Sequence, residues 1–212
     1  MLTLCKVSLA TMLMVAIFFL SGCSQPSNPA GGNVPTVKAS ETASTQPVTA
    51  KTAYSSMYRS AYQWAPDLVL LKLTPKDVAG FAGDGGKAAI WEGTFASPSK
   101  RECRIFSYAV AAHPPDVYQG VTVGSAIPWG GVTREVTAIP SSEFTVDSDA
   151  AFTAATTDAE VWLKKNPEKK LSSFTLGNGY SFPAPVWYVV WGDKKSGYVA
   201  FVNASTGKVL KK

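Results

Sequence analysis

Cysteine, histidine and long apolar runs are all scarce in this chain. Its 212 residues hold three cysteines, Cys5, Cys23 and Cys103, and one histidine, His113. A single histidine cannot supply a His-rich metal site. It stands in His113-Pro114-Pro115-Asp116, where proline rigidity indicates a surface loop and not a general base. The most apolar stretch, residues 7–20, has fourteen residues. A helix needs about 20 to span a bilayer, so this one is too short to cross comfortably. Excess charge is small too. The net charge of +5 favours contact with anionic surfaces such as lipid headgroups, but is too low to argue for nucleic acid.

The short apolar stretch follows Lys6 and ends in Ser21-Gly22 before Cys23. A charged start, an apolar run and a small-residue exit describe a secretory signal peptide. Leu20-Ser21-Gly22-Cys23 resembles the lipobox of bacterial lipoproteins. The resemblance implies removal of residues 1–22 and acylation of the Cys23 thiol. The protein would then be lipid-anchored on a cell membrane or outer membrane, facing outside the cytoplasm. Serine, not aspartate, follows at position 24, which in Gram-negative lipoproteins permits sorting to the outer membrane; a Gram-positive source would leave the protein on the plasma membrane. Export also argues against a nucleic-acid partner. Cleavage removes Lys6 from the 20 basic residues and none of the 15 acidic ones, leaving +4. With Cys5 removed and Cys23 lipidated, Cys103 has no partner for an internal disulfide. The fold must rest on its apolar core. Cys103 lies in Glu102-Cys103-Arg104-Ile105-Phe106-Ser107-Tyr108, whose alternation predicts a strand with a buried thiol.

Residues 24–52 are rich in Ser, Thr, Ala, Pro and Gln, with no apolar period. Such a segment cannot bury enough surface to offset its ordering entropy, so residues 23–52 read as a disordered tether. As a flexible coil it has an end-to-end distance of about 30 Å.

The remainder carries a faint internal repeat, which predicts one unit with a connector over 53–142 and a second over 143–212. Ala53, Met57, Ala61 and Trp64 share one helical face, and 98 residues on stand Ala151, Ala155, Ala159 and Trp162. Pro66 and Pro167 follow the two helices as exit signals. Leucine-rich strands are expected at 68–73 and 171–176, then glycine turns at Gly83-Asp84-Gly85-Gly86 and Gly177-Asn178-Gly179. Ala88-Ala89-Ile90-Trp91 matches Ala184-Pro185-Val186-Trp187 at an offset of 96, and Phe106 matches Phe201 at 95. Turns over 192–196 and 203–208 separate three C-terminal strands, and such short connections require antiparallel pairing. The expected fold is α+β, as two similar helix-plus-antiparallel-sheet repeats. In the second helix Asp147, Asp149, Asp158 and Glu160 precede Lys164 and Lys165, which complements the macrodipole. Thr157-Asp158-Ala159-Glu160 fits a capping box, so a break there is also expected. The connector over 111–144 reads as short strands and turns.

Pro185-Val186-Trp187-Tyr188-Val189-Val190-Trp191, then Gly197-Tyr198-Val199-Ala200-Phe201-Val202, then Asn203-Ala204-Ser205-Thr206-Gly207-Lys208-Val209 together resemble the end of a PepSY-type domain. The resemblance covers residues 145–212; residues 53–110 match as a degenerate copy without the Thr-Gly-Lys turn. It implies a PepSY/cystatin-like fold. Since such domains resemble propeptides of secreted metallopeptidases, the resemblance also implies a role in restraining an envelope protease.

No catalytic motif emerges, and no cofactor is implied. Residues 80–87 miss the phosphate-loop spacing by one, and no Ser or Thr follows Lys87, so they read as a hairpin turn. Asp147-Ser148-Asp149 starts like a calcium loop, but Phe152 stands where glycine is required. From Leu163 onward nine lysines, Lys169 and Lys170 among them, oppose only Glu168 and Asp193. They form a solvated rim or a contact for anionic lipid, cell-wall polymer or an acidic partner. Trp64, Trp91, Trp162 and Trp187 are expected in the core. Trp129 and Trp191 are expected to be exposed, with Trp129, in a glycine-rich loop, the best single contact candidate. The leading expectation is a non-catalytic, membrane-tethered binding or regulatory module whose partner is an envelope protein or peptide, or an anionic cell-wall polymer. An envelope enzyme with an Asp/Glu/Tyr site and a purely structural envelope component are the alternatives.

Overall fold

The computed structural model describes residues 45–77, 84–179, 181–193 and 195–211. The signal segment, Cys23, the tether up to residue 44, residues 80–83 of the glycine turn, Lys194 and Lys212 lie outside the described residues. Helix α1 spans Ala50–Trp64 and buries Ala50, Ala53, Met57 and Ala61. Helix α2 spans Ser148–Lys165 and buries Ala151, Ala155 and Ala159. Trp64 and Trp162 are half-buried at the ends of these stripes. Small residues along these stripes, alanine throughout in α2 and alanine with Met57 in α1, let each helix lie close on the sheet without displacing larger core side chains. The expected break at Thr157 does not occur. The Thr157 hydroxyl bonds back to the Thr153 carbonyl at 3.0 Å, and the buried stripe runs straight through. The N-cap of α2 is Asp147, whose carboxylate accepts from the Ser148 N–H.

Among the described residues nine strands form one antiparallel sheet: β1 Val69–Pro75, β2 Ile90–Ser97, β3 Glu102–Ala109, β4 Gly120–Val123, β5 Ile127–Pro128, β6 Leu171–Gly177, β7 Val186–Trp191, β8 Tyr198–Asn203 and β9 Val209–Leu210. Their order is β4-β3-β2-β1-β6-β7-β8-β9, with β5 also on β3. The fold is therefore α+β. The two halves join at β1 and β6, where Lys72 pairs with Gly177 and Leu73 with Leu176. The hydroxyls of Thr74 and Thr175 meet at 3.2 Å in this seam. Where β6 turns away, Ile139 takes up the β1 edge, donating its N–H to the Leu70 carbonyl at 2.7 Å.

Strand alternation sorts side chains to two faces. Leu73, Phe106, Phe174, Leu176, Trp187, Val189, Ala200 and Val202 are buried with the alanines of both helices in one core, so both helices cover the same face. Trp91 and Trp187 meet edge to face at its centre, ring centroids 6.4 Å apart. The Trp91 Nε1–H donates to the Val48 carbonyl at 2.9 Å, and the Trp187 Nε1–H to the Val146 carbonyl at 3.1 Å. These bonds anchor the strand-like lead into each helix.

Several expectations change here. The folded part begins before residue 53, because Val48 exchanges backbone hydrogen bonds with Ala88 and α1 starts at Ala50. Trp191 is buried, not exposed, since it shares the core parity of Trp187 and Val189 and packs on Phe152 and Tyr198. Phe201 is not the counterpart of Phe106. It points to the face away from the helices, against Phe182 and Tyr188, and the core positions of β8 are Ala200 and Val202. A slip of one residue moves a side chain to the opposite face. The same parity puts Cys103, opposite to Phe106, on the face away from the helices, where it is half-buried and free, not in the core.

Candidate functional site

Among the described residues both helices lie on one face of the sheet, and the other face carries no helix, with Phe182 covering part of it. Eight laterally paired strands at about 4.8 Å spacing make it about 35 Å wide. Near its seam lie Thr74 and Thr175. Ile105 and Val199, on either side, are 39% and 44% exposed. Tyr188, Phe201 and Phe182 form a half-buried aromatic group on the β7–β8 side. Desolvation by burial raises the Tyr188 phenol above its usual range. Glu92 is held on β2 by Lys76 at 3.0 Å.

Of the contact residues expected from sequence, Trp129 is half-buried. Its backbone N–H donates to the Arg101 carbonyl at 2.8 Å, which fixes the 129–132 loop on the β2–β3 turn. Pro98, Arg101, Trp129, Gly130, Gly131 and Val132 enclose a surface depression of about 430 Å³ there. Lys169 is not a free rim charge. Its ammonium contacts the Asp193 carboxylate at 3.3 Å and the Ser196 hydroxyl at 3.0 Å, closing the β7–β8 turn. Asp193 also accepts the N–H groups of Lys195 and Ser196. These backbone bonds first, then the Ser196 hydroxyl and Lys169, hold its carboxyl well below the usual range. Lys170 is exposed. Trp129 and Lys169–Lys170 do not share a site. The first lies at the turn beside the start of β1 and the second beside the start of β6, and these two strands run antiparallel. Cys23 lies outside the described residues.

Two further groups anchor the helices. Asp147 serves both, since its carboxylate also accepts the Lys51 N–H at 3.0 Å, while the buried Ser148 hydroxyl accepts the Ala50 N–H at 2.9 Å. The first turns of α1 and α2 therefore meet at one carboxylate, which offsets two positive helix ends. Tyr198 donates to Asp158 at 2.7 Å; that bond, with burial, pushes its phenol up to about 12. Burial pushes the Tyr54 phenol up to about 12 as well, helped by neighbouring Tyr58. His113 is half-buried in a tight hairpin, where it exchanges backbone hydrogen bonds with Val117. Among the described residues no group of three or more His, Cys, Asp or Glu could hold a metal ion.

Sequence reasoning missed Arg101 and Asp147's double role. Both depend on contacts between elements: a turn backbone at φ +53 for Arg101, and a helix start 96 residues away for Asp147.

No family model matches this chain. No curated protein matches it either. Among solved structures it is similar to the crystal structure of a "putative lipoprotein (CD1622)" from Clostridium difficile 630. The match has 12% identity and a TM-score of 0.47, covering 75% of this chain and 90% of the other. Among the described residues no helix is long and apolar enough to cross a membrane.

Proposed function

We propose that this chain is a non-catalytic binding module of the bacterial cell envelope, tethered to a membrane by lipid on Cys23. The reading of the anchor rests on the lipobox-like Leu20-Ser21-Gly22-Cys23. The observation that carries the reading of a binding module is the one-sided layering of the sheet. Both helices lie on one face, and the other carries exposed Ile105 and Val199 beside threonines and aromatics. A surface about 35 Å across, part apolar and part hydroxyl-bearing, suits a protein partner.

We also read the module as two copies of one helix–strand–strand–strand unit, the second PepSY-like and the first a degenerate copy of it. Three pairs of matched features support this. Trp91 and Trp187 bond to the segment before α1 and before α2 respectively, and meet edge to face. Thr74 and Thr175 hold matched places in β1 and β6 and face each other across the seam, as a local two-fold relation requires. Ala53, Met57, Ala61 and Ala151, Ala155, Ala159 form matched buried stripes. In the second unit the Asn203–Lys208 turn that carries the resemblance is closed by Asn203 Oδ1, which accepts from the N–H groups of Ser205 and Thr206, and Gly207 has φ +72. On the PepSY-like reading, an envelope protease is the first partner to look for.

The test is capture from envelope extract with the full chain as bait. The expected result is one protein retained by the wild type and lost when Ile105 and Val199 are both changed to Arg. Equal capture by the wild type and this variant, with both normally folded, would refute the reading of the face.

A further inference from the structure

We propose that the Arg101–Trp129 depression, at the tip of the β2–β3 hairpin, binds a partner peptide segment that carries a carboxylate beside an apolar side chain. This rests on the reading of the chain as a protein-binding module and names one contact within it.

The argument starts from the turn. Arg101 has φ +53, the left-handed region that glycine or asparagine enters readily and arginine does not. The turn geometry therefore gives no reason for an arginine. The backbone is nonetheless tied down, because the Arg101 carbonyl accepts the Trp129 N–H at 2.8 Å. One contact thus places the guanidinium stem and the indole on the same depression.

The guanidinium is unspent. Arg101 is exposed, and its side chain has no ion pair or hydrogen bond among the described residues. Asp67, an acid of the same turn region, makes no ion pair with it among the described residues. Its carboxylate instead accepts the Ser99 N–H and the Ser97 hydroxyl, both at 2.7 Å. An arginine fork pairs bidentately with a carboxylate and lies flat on an aromatic ring.

The rest of the depression is apolar. Pro98 and Val132 wall it, and Gly130-Gly131 bring no side chain into the space. Ile127, half exposed at the adjoining sheet edge, extends the apolar surface beyond it. A volume of about 430 Å³ takes one or two side chains, not a folded surface. A uronate-type polymer would satisfy Arg101 but leave Val132 and Ile127 against hydroxyls. The combination of unpaired cation, indole and branched aliphatics favours an acidic–apolar peptide.

The test uses the full chain labelled with 15N at tryptophan, reading the indole Nε1–H resonances, with Trp129→Phe to assign the one that matters. The probes are the capped tripeptide Leu-Asp-Ile, its Leu-Asn-Ile analogue, and an oligogalacturonate. The expected result is a saturable shift of the Trp129 resonance with Leu-Asp-Ile while those of Trp91 and Trp187 stay still. Leu-Asn-Ile should bind at least about fivefold more weakly, as should the Arg101→Gln variant with Leu-Asp-Ile. Arg101→Gly is the decisive control, because it relieves the turn: it should keep or raise the melting temperature and still lose the same binding. Overturning results are no saturable shift at millimolar Leu-Asp-Ile, unchanged affinity in Arg101→Gly, or stronger binding of the oligogalacturonate. If these occur while envelope capture through Ile105 and Val199 persists, the tip site falls and the module reading stands.

Discussion

Replacing Trp187 with alanine probes the joint between the two halves of the fold. The indole is fully buried and stacks on Phe174 at 4.9 Å, with Phe144 at 5.9 Å and Trp91 at 6.4 Å around it. Truncating a core aromatic to alanine costs about 3–5 kcal/mol in lost transfer energy and residual cavity. The substitution also strips the half-buried Val146 carbonyl of its indole donor, and losing that partner costs a further ~1–3 kcal/mol. A combined loss of about 4–8 kcal/mol compares with a total stability of about 5–15 kcal/mol for a domain. The variant should therefore be largely unfolded or melt more than about 10 °C lower. Trp187→Phe keeps most of the stack and loses mainly the hydrogen bond, so it should cost about 1–2 kcal/mol. Urea unfolding followed by far-ultraviolet circular dichroism reads both without relying on tryptophan emission. A loss below about 1 kcal/mol for Trp187→Ala would refute the shared core as the main source of stability.

Other outcomes follow from the same contacts. Asp147→Ala should cost about 1–2 kcal/mol, more than a single cap warrants, because it frees the starts of both helices; Asp147→Asn should recover part of this in the same urea assay. The raised pKa of Tyr198 means the fold favours the neutral phenol, so its contribution is full below the ordinary tyrosine range and is lost as pH rises through about 12. Ultraviolet titration should show this late ionisation, and Asp158→Asn should bring it earlier; no change would refute the Asp158 bond as its cause. Cys23→Ser should leave the protein off the membrane fraction or stranded as precursor, since stable attachment takes two or more acyl chains. Normal processing and membrane fractionation of that variant would refute the anchor.

Much of the fold was legible because it follows local periodicity. An apolar residue at every third or fourth position marked both helices, and the glycine and asparagine turns marked the hairpin order of β7, β8 and β9. The union of both halves into one sheet was not legible, because its seam rests on Thr74 and Thr175, ordinary polar residues until they meet. The start of the folded part was misplaced for a similar reason: Val48 is ordered by Ala88 and Trp91, about 40 residues on. Parity errors account for Trp191, Phe201 and Cys103, since alternation identifies two faces but not which of them the helices cover. Of the site, Trp129 could be singled out by its glycine-rich setting. Lys169 could not be told from its exposed neighbour Lys170, because Asp193 claims it from 24 residues away.

The claim that the helix-free sheet face is the working surface can be tested by photo-crosslinking in the cell envelope. A photoreactive aromatic residue is placed at Ile105 or Val199 on that face, or at Tyr62 or Val161, exposed on the outer sides of α1 and α2. The account predicts one shared adduct from Ile105 and Val199 and none from Tyr62 or Val161. Adducts from the helix positions alone, or no adduct from the sheet face in a normally folded and localised protein, would contradict it.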